Sequence, residues 1–332
     1  MKKLLTAFVL LGLVGSASAE LSKVGTAGAQ FLKIGVGPKY QGMGEASVAV
    51  SNDVYSMYWN PAGLVEVQNS QLGFTNVNWL LDVRLNYFAY ARNFEDIGVF
   101  GLSASILSMN DQEITTFQQQ EGTGTYYSAS SYALGLSFAR QLTARFAFGA
   151  SVKYVGEKIH LERSQGVAFD FGTMLYTGFQ SLRMGMSISN MGPRLKFDGP
   201  NLDVSYDDQK GRGSNSSIGA SLKTSPYDLP LLFRVGMAYD VNLNSKSMIT
   251  VSTEFRHPSD SPEQGSAGAE LSYDNRFYLR SGYKLNANEE GLSLGAGLKT
   301  SVTGSTKLLI DYSWQDFGRL VSTQRFSVGF EF

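Results

Sequence analysis

The chain of 332 residues contains no cysteine and only two histidines. Disulfide frameworks, thiolate chemistry and most zinc sites are therefore excluded. Charge is also scarce: 17% of residues are Asp, Glu, Lys or Arg, against roughly 25% in an ordinary soluble domain. The 28 basic and 29 acidic side chains nearly cancel, leaving a formal net charge of −1. No basic domain or stripe marks a nucleic-acid partner. A Gly-Lys-Ser/Thr phosphate loop is missing, so no nucleotide site of that type is expected. No apolar run after the N-terminus approaches the roughly 18 residues of a membrane helix. What is plentiful is glycine (36), phenylalanine (21) and tyrosine (17).

The N-terminus reads as an address. Lys2 and Lys3 precede an apolar run from Leu4 to Val14, and Ala17-Ser18-Ala19 stands before Glu20. This is the pattern of a Sec signal peptide cleaved after Ala19, and its apolar run is too short to anchor in a bilayer. Beyond it, apolar residues recur with a period of two. Phe100, Leu102, Ala104 and Ile106 alternate with Gly and Ser, as do Tyr132, Leu134, Leu136 and Phe138. The pattern repeats up to Phe326, Val328 and Phe330. Such alternation predicts strands with one apolar face. The opposite face carries Gly, Ala, Ser and charges of both signs: Lys153, Asp170, Arg183, Arg234, Asp240, Glu254, Arg256, Glu270, Arg280, Lys284, Lys299, Asp311 and Arg325. Mixed signs predict an internal network of pairs rather than an ion-selective ring.

A soluble β-sandwich would show the same alternation, and three features decide against it. Aromatics gather near strand ends (Tyr132, Tyr154, Tyr239, Phe255, Tyr273, Tyr283, Tyr312, Trp314), as in the ring girdles of outer-membrane barrels. The alternating runs have roughly the 9–11 residues that cross a bilayer at a tilt. The last strand ends on Phe332, resembling the terminal strand of bacterial outer-membrane proteins. The reading is an all-β, transmembrane antiparallel β-barrel, since in hydrocarbon every backbone amide needs an internal partner. Its apolar exterior makes outer-membrane lipid a partner. Short turns such as Asn93–Asp96 belong to the periplasm; long loops such as Asn110–Thr125 and Gly192–Leu229 belong outside. Bacterial barrels have even strand numbers. Placing the brief segment Ile218–Leu222 in the second long loop predicts 14 strands, with 16 as the alternative.

Three regions follow: a signal peptide at 1–19, a distinct segment at 20–69 and the barrel at 70–332. Residues 20–69 do not alternate. Ser51, Asn52 and Asp53 offer caps for one helical turn reaching Tyr58, which Pro61 prevents from continuing. The segment is too long for a linker and suits a hatch, or plug, inside a barrel wide enough to hold it.

Here a resemblance becomes specific. Gln41-Gly42-Met43-Gly44-Glu45-Ala46-Ser47-Val48-Ala49-Val50, Asp53, and Tyr58-Trp59-Asn60-Pro61-Ala62-Gly63-Leu64 resemble the N-terminal signature of the PorV/PorQ family of FadL-like barrels. Asn190-Met191-Gly192-Pro193, Leu229 to Gly236 and Phe277 to Lys284 are similar to that family as well. One departure is Glu45, where such sequences usually carry Gly. The resemblance implies a Gram-negative outer-membrane barrel of 14 strands with an N-terminal hatch. It also implies a PorV-type accessory role in type IX protein secretion, with a translocon subunit or secreted cargo as partners. Gln118, Gln119, Gln120, Tyr126 and Tyr127 are candidate cargo contacts in the long loops. The alternative is FadL-like uptake of a hydrophobic small molecule such as a long-chain fatty acid.

The candidate gating motif is Gly42, Gly44, Asn60, Pro61, Ala62 and Gly63; its bland reading is a turn, which Asn-Pro opens and Gly closes. An apolar pocket between hatch and wall would be lined by Phe31, Leu32, Ile34, Met43, Tyr55, Met57 and Trp59, residues that equally suit a hatch core. No enzyme, cofactor or metal site is expected: His160 and His257 have no triad spacing, and Asp198, Asp203, Asp207 and Asp208 lack the alternating oxygens of a calcium loop.

Overall fold

The structure, a computed structural model, describes residues 24–206 and 218–332. The expected signal peptide lies outside the described residues, as do Asp207 and Asp208. In chain order the strands are β1 (Ser70–Asn78), β2 (Arg84–Phe94), β3 (Gly98–Ser108), β4 (Gln112–Glu113), β5 (Tyr126–Tyr127), β6 (Ala129–Thr143), β7 (Phe146–Ile159), β8 (Glu162–Tyr176) and β9 (Arg183–Met191). There follow β10 (Asp203–Tyr206), β11 (Ile218–Ser221), β12 (Leu232–Asn242), β13 (Ser247–Pro258), β14 (Gln264–Tyr273), β15 (Phe277–Leu285), β16 (Leu292–Thr303), β17 (Thr306–Asp316) and β18 (Ser322–Glu331). Fourteen of them form a closed antiparallel ring in the order β1-β18-β17-β16-β15-β14-β13-β12-β9-β8-β7-β6-β3-β2. The remaining four make two small ladders, β4 with β5 and β10 with β11, inside the two long loops. Ile218–Ser221 is thus outside the ring, as its break in the alternation of sides implied.

Closure depends on the terminal strand: Leu72 pairs with Phe330 and Phe74 with Val328, joining β1 to β18. With that seam made, no sheet edge faces hydrocarbon. The alternation sorts the two faces. Leu102, Leu134, Leu136, Phe255, Leu279 and Tyr283 are exposed on the outside, while Ser137, Ser151, Ser187 and Ser252 are buried within. Of the end-of-strand aromatics, Tyr154, Phe255, Tyr273, Tyr283 and Tyr312 are exposed and Tyr132, Tyr239 and Trp314 half-buried. The bilayer-length expectation is corrected in one place. β6 and β8 have 15 residues each and β7 has 14, and β7 passes to β8 through a tight turn at His160 and Leu161. Their outer ends overhang the apolar band, where polar surroundings on both faces remove the pressure for alternation. That is why the sequence pattern stops at Tyr154 and resumes only at Val167.

Residues 24–69 run through the ring from end to end. At the long-loop end Gly28 N donates to Asp228 O at 3.0 Å; at the short-turn end Asn69 leads into β1. Between them lie helical turns at Gln30–Lys33, Pro38–Gly42, Ser56–Trp59 and Pro61–Glu66. Asp53 Oδ1 accepts from Tyr55 N at 2.9 Å in a local turn, but the cap position of the Ser56–Trp59 turn is Tyr55, without a side-chain cap, so none of Ser51, Asn52 and Asp53 caps it. Hydrogen bonds reach opposite sides of the ring: Ser47 N to Glu254 of β13 (2.8 Å), Asn60 to Thr173 of β8 (3.1 Å), and Gln41 to Gln315 of β17. Val36, Tyr40, Ala49, Trp59 and Leu64 are buried in one apolar cluster. The larger apolar cluster among the described residues therefore lies inside the barrel, between this segment and the inner wall.

The inward charges form pairs. Lys153 meets Asp170 at 2.8 Å and Arg183 meets Asp240 at 2.5 Å. Arg280 bridges Glu270 and Asp311, both at 2.5 Å, and Lys299 meets Glu331 at 2.6 Å. Arg234 lies 3.7 Å from Glu254 and over the rings of Tyr58 and Trp59. Arg325 donates to Gly35 O at 3.0 Å and to Thr323 Oγ1 at 3.0 Å, and sits over Trp79.

Candidate functional site

The Asn60-Pro61-Ala62-Gly63 motif is a turn, and it is also a lock between segment and wall. Asn60 caps the Pro61–Glu66 turn, its Oδ1 accepting from Ala62 N at 3.2 Å. Its Nδ2 donates to Val48 O at 2.8 Å within the segment and to Thr173 O at 3.1 Å on β8. All three bonds are made by a fully buried side chain. The wall opposite is backbone: a Cβ on Gly172 would collide with Asn60 Oδ1, and one on Gly149 with Pro61 and Ala62. Gly63 in turn lies against Ser51 O.

Gly42 and Gly44 make the matching contact on the other side of the ring. A Cβ on Gly42 would press on Gly295 of β16, and Gly44, at φ 65°, packs its backbone on Gly282 and Tyr283 of β15. The next residue, Glu45, also has a left-handed backbone, at φ 64°, a conformation that suits glycine. Its carboxylate compensates: Oε2 meets Arg256 at 2.5 Å and Lys284 at 2.8 Å, and Lys284 also meets Glu290 of a long-end loop at 2.5 Å. Burial alone would raise the Glu45 carboxyl, but Lys284 and Arg256 overcome it and hold the group well below the usual carboxylate range. Burial likewise pushes the Tyr40 phenol upward, reinforced by Asp53, which accepts its hydroxyl proton at 2.8 Å.

The apolar residues proposed for one pocket are not gathered around one. Phe31, Leu32, Ile34, Met43, Tyr55, Met57 and Trp59 are all buried in the core cluster. Trp59 Nε1 donates to Val36 O at 2.8 Å and its ring packs edge-on against Tyr58. Only Phe31 and Ile34 line a sizeable cavity at the long-loop end. That vestibule, about 500 Å³, is completed by Trp79, Leu232, Phe317 and Leu320, with Arg256 and Lys284 also lining it. Met43 lines a separate cavity of about 560 Å³ at the short-turn end, whose wall mixes charged groups such as Lys39, Glu66, Arg183 and Asp240 with apolar ones such as Val50 and Met174. Tyr55 borders only a void of about 30 Å³. The segment thus separates a vestibule at the long-loop mouth from cavities at the short-turn end.

Two contacts escaped the sequence reading. Asp260, in the β13–β14 loop, holds Lys33 at 2.9 Å and Gln30 at 2.6 Å, clasping the segment at the long-loop mouth. Where β8 parts from β9, the register shifts and Asn190 takes φ 64°. Its backbone N donates to Asp170 Oδ1 at 2.7 Å and its side chain accepts from Lys153 at 2.5 Å. Asn tolerates the left-handed region better than most residues, which was the available signal. In the long loops Gln118, Gln119, Gln120, Tyr126 and Tyr127 are exposed, with Phe117 bare at 89%. The loop after β9 instead folds inward, burying Leu195 and Leu229.

A family model described as "PorV: Type IX secretion system protein PorV" matches residues 17–222, more than half of the chain. No curated protein matches. Among solved structures, one described as the CymD monoaromatic hydrocarbon channel is 14% identical, with a TM-score of 0.57 over 90% of this chain and 96% of that one. The toluene transporter TbuX of Ralstonia pickettii is 11% identical, with a TM-score of 0.55 over 89% and 97%. A FadL homologue of Pseudomonas aeruginosa is 13% identical, with a TM-score of 0.55 over the same shares. These likenesses establish a FadL-like fold, and a barrel of this type implies the outer membrane.

Proposed function

Because this chain belongs to the PorV family, we propose that it serves type IX protein secretion as an outer-membrane accessory that docks a translocon subunit or exported cargo. The observation that carries this reading is the filled lumen. A segment bonded to several sides of the ring leaves no route for a protein through the barrel, so a protein partner would meet it from outside. The long-loop mouth supplies the surface, with Phe117, Gln118, Gln119, Gln120, Tyr126 and Tyr127 exposed. No catalytic step is part of this role. Affinity capture from detergent-solubilised outer membrane tests it: a translocon subunit or secreted cargo should co-purify, and repeated recovery of the barrel alone would defeat it.

A second reading is favoured by the long-end vestibule, whose apolar lining from Phe31, Ile34 and Trp79 next to Arg256 and Lys284 suits a small amphiphilic or hydrophobic molecule. In it residues 20–69 act as a hatch, and Gly42, Gly44 and Asn60 to Gly63 are the contacts that release when it moves. Gene deletion followed by growth on long-chain fatty acids or hydrocarbons separates the two readings; unchanged uptake removes the second.

A further inference from the structure

A strip of cations on the outside of the barrel is left unused by either role. Strand register places it. In β7 the outer face carries Phe148, Val152 and Tyr154, all exposed, and Lys158 is in phase with them. Its partner across the ladder is Arg163 of β8, in phase with exposed Phe169 and Leu175. On the other side Lys158 pairs with Ser130, Ser130 with Ser108, and Ser108 with Arg84. One registered row thus reads Arg84, Ser108, Ser130, Lys158, Arg163, all on the outer face.

The chain after Gly192 extends the row. Arg163 and Asp198 exchange both backbone hydrogen bonds, at 2.8 and 2.9 Å, as an antiparallel pair. Leu195 is buried against Gly166 on the inner side, so Lys196, its neighbour, faces out. Lys158, Arg163 and Lys196 have no ion-pair partner among the described residues. Each nearby carboxylate accepts a hydrogen bond or ion pair from another group, although Asp198 stands directly across from Arg163. Glu157 accepts from Tyr227 Oη at 2.7 Å and from Ala29 N at 3.2 Å, and Asp228 pairs with Arg194 at 2.8 Å. Glu162 accepts from Asn201 N at 3.1 Å, and Asp198, beside Arg163, accepts from Gly199 N at 3.0 Å.

Depth identifies the occupant. One row towards the membrane stand Ile106 and Tyr132, and the ring of Tyr132 lies 6.1 Å from that of Tyr154, whose hydroxyl bonds Gln165 at 2.6 Å. Such rings sit at the level of lipid headgroups. A cationic row just beyond them, on the lipid side and at the long-loop end, meets the headgroups of the outer leaflet. We propose that Lys158, Arg163 and Lys196, with the Ser108 and Ser130 hydroxyls, bind the phosphate-bearing headgroup of an outer-leaflet lipid. Guanidinium and ammonium donors supply charge-assisted hydrogen bonds to phosphate oxygens, and serine hydroxyls complete the set.

The test uses the full chain in an uncharged detergent, titrated with a phosphorylated glycolipid and with its dephosphorylated form, read by native mass spectrometry. The phosphorylated lipid should bind, more weakly as salt rises, and inorganic phosphate at equal concentration should not displace it. The combined K158Q, R163Q and K196Q variant should lose on the order of a hundredfold at low salt, at roughly fivefold per cation near an anionic surface. Variant and parent binding alike would overturn the proposal. So would equal binding of the two lipid forms by the parent protein, a comparison that decides the matter even where the variant does not assemble.

Discussion

At the scale of single residues, Asn60 and Glu45 show how much one buried polar group can hold. Asn60→Ala removes two donors and an acceptor, leaving Val48 O and Ala62 N without their side-chain partner; unsatisfied buried groups cost about 1–3 kcal/mol each. The expected result is an assembled barrel whose residues 60–66 exchange amide hydrogens much faster, measured by hydrogen exchange. Unchanged exchange would reduce the motif to an ordinary turn. Glu45 poses opposed effects. Glycine there relieves the φ 64° backbone, worth about 1 kcal/mol. It also strands Arg256 and Lys284, and breaking a buried pair costs about 3–5 kcal/mol. The second term is larger, so Glu45→Gly should lower stability despite matching the pattern usual in the family. The sign of the pH effect follows from the depressed carboxyl. Its stabilisation is complete above the ordinary glutamate range and is lost only as pH falls through that range towards the folded-state value. Unfolding midpoints measured from pH 7 down to pH 3 should decline below about pH 4, with a shallower decline in Glu45→Gln.

At the scale of elements, the glycines of the wall explain where the segment can sit. Gly149 and Gly172 admit Asn60-Pro61 to backbone contact, and Gly282 and Gly295 admit Gly42 to Gly44. Gly149→Ala or Gly282→Ala places a methyl against main chain, which cannot rotate away. Each variant should retain the heat-resistant gel mobility of a closed barrel while protease gains access to residues 24–69. A pattern of resistance equal to the parent would mean the segment tolerates a shifted seat. These contacts were invisible to periodicity, because glycine on the inner face reads the same whether it faces water or another backbone. Glu45 is different. Its departure from the family pattern was legible, while the partners that explain it lie more than 200 residues away in sequence.

At the scale of the whole molecule, two regimes of solvent meet. Outside, apolar side chains face acyl chains; inside, paired charges and the apolar core of residues 24–69 exclude water. Removing residues 20–69 should leave a barrel that still closes, since the β1–β18 seam is made by the wall alone. In planar bilayers this deletion should conduct ions in discrete steps, whereas the full chain should remain closed. Equal conductance in both would show that the segment does not seal the lumen.

The sequence by itself determined the class of fold: a period of two called for sheets, and aromatics near strand ends with runs of bilayer length favoured a lipid-facing barrel over a soluble sandwich. It pointed to 14 strands with 16 as the alternative, from even parity and the misplaced segment Ile218–Leu222, while the closed ring of 14 and its β1–β18 seam came from the structure. Tertiary structure alone decided the rest. It showed that the aromatic stripe of residues 31–59 is a packed core, that Lys284 and Arg256 converge on Glu45, and that the segment separates cavities at the two ends of the lumen. Those facts depend on which strand stands opposite which, and closing a ring brings together residues whose separation along the chain carries no trace of their contact.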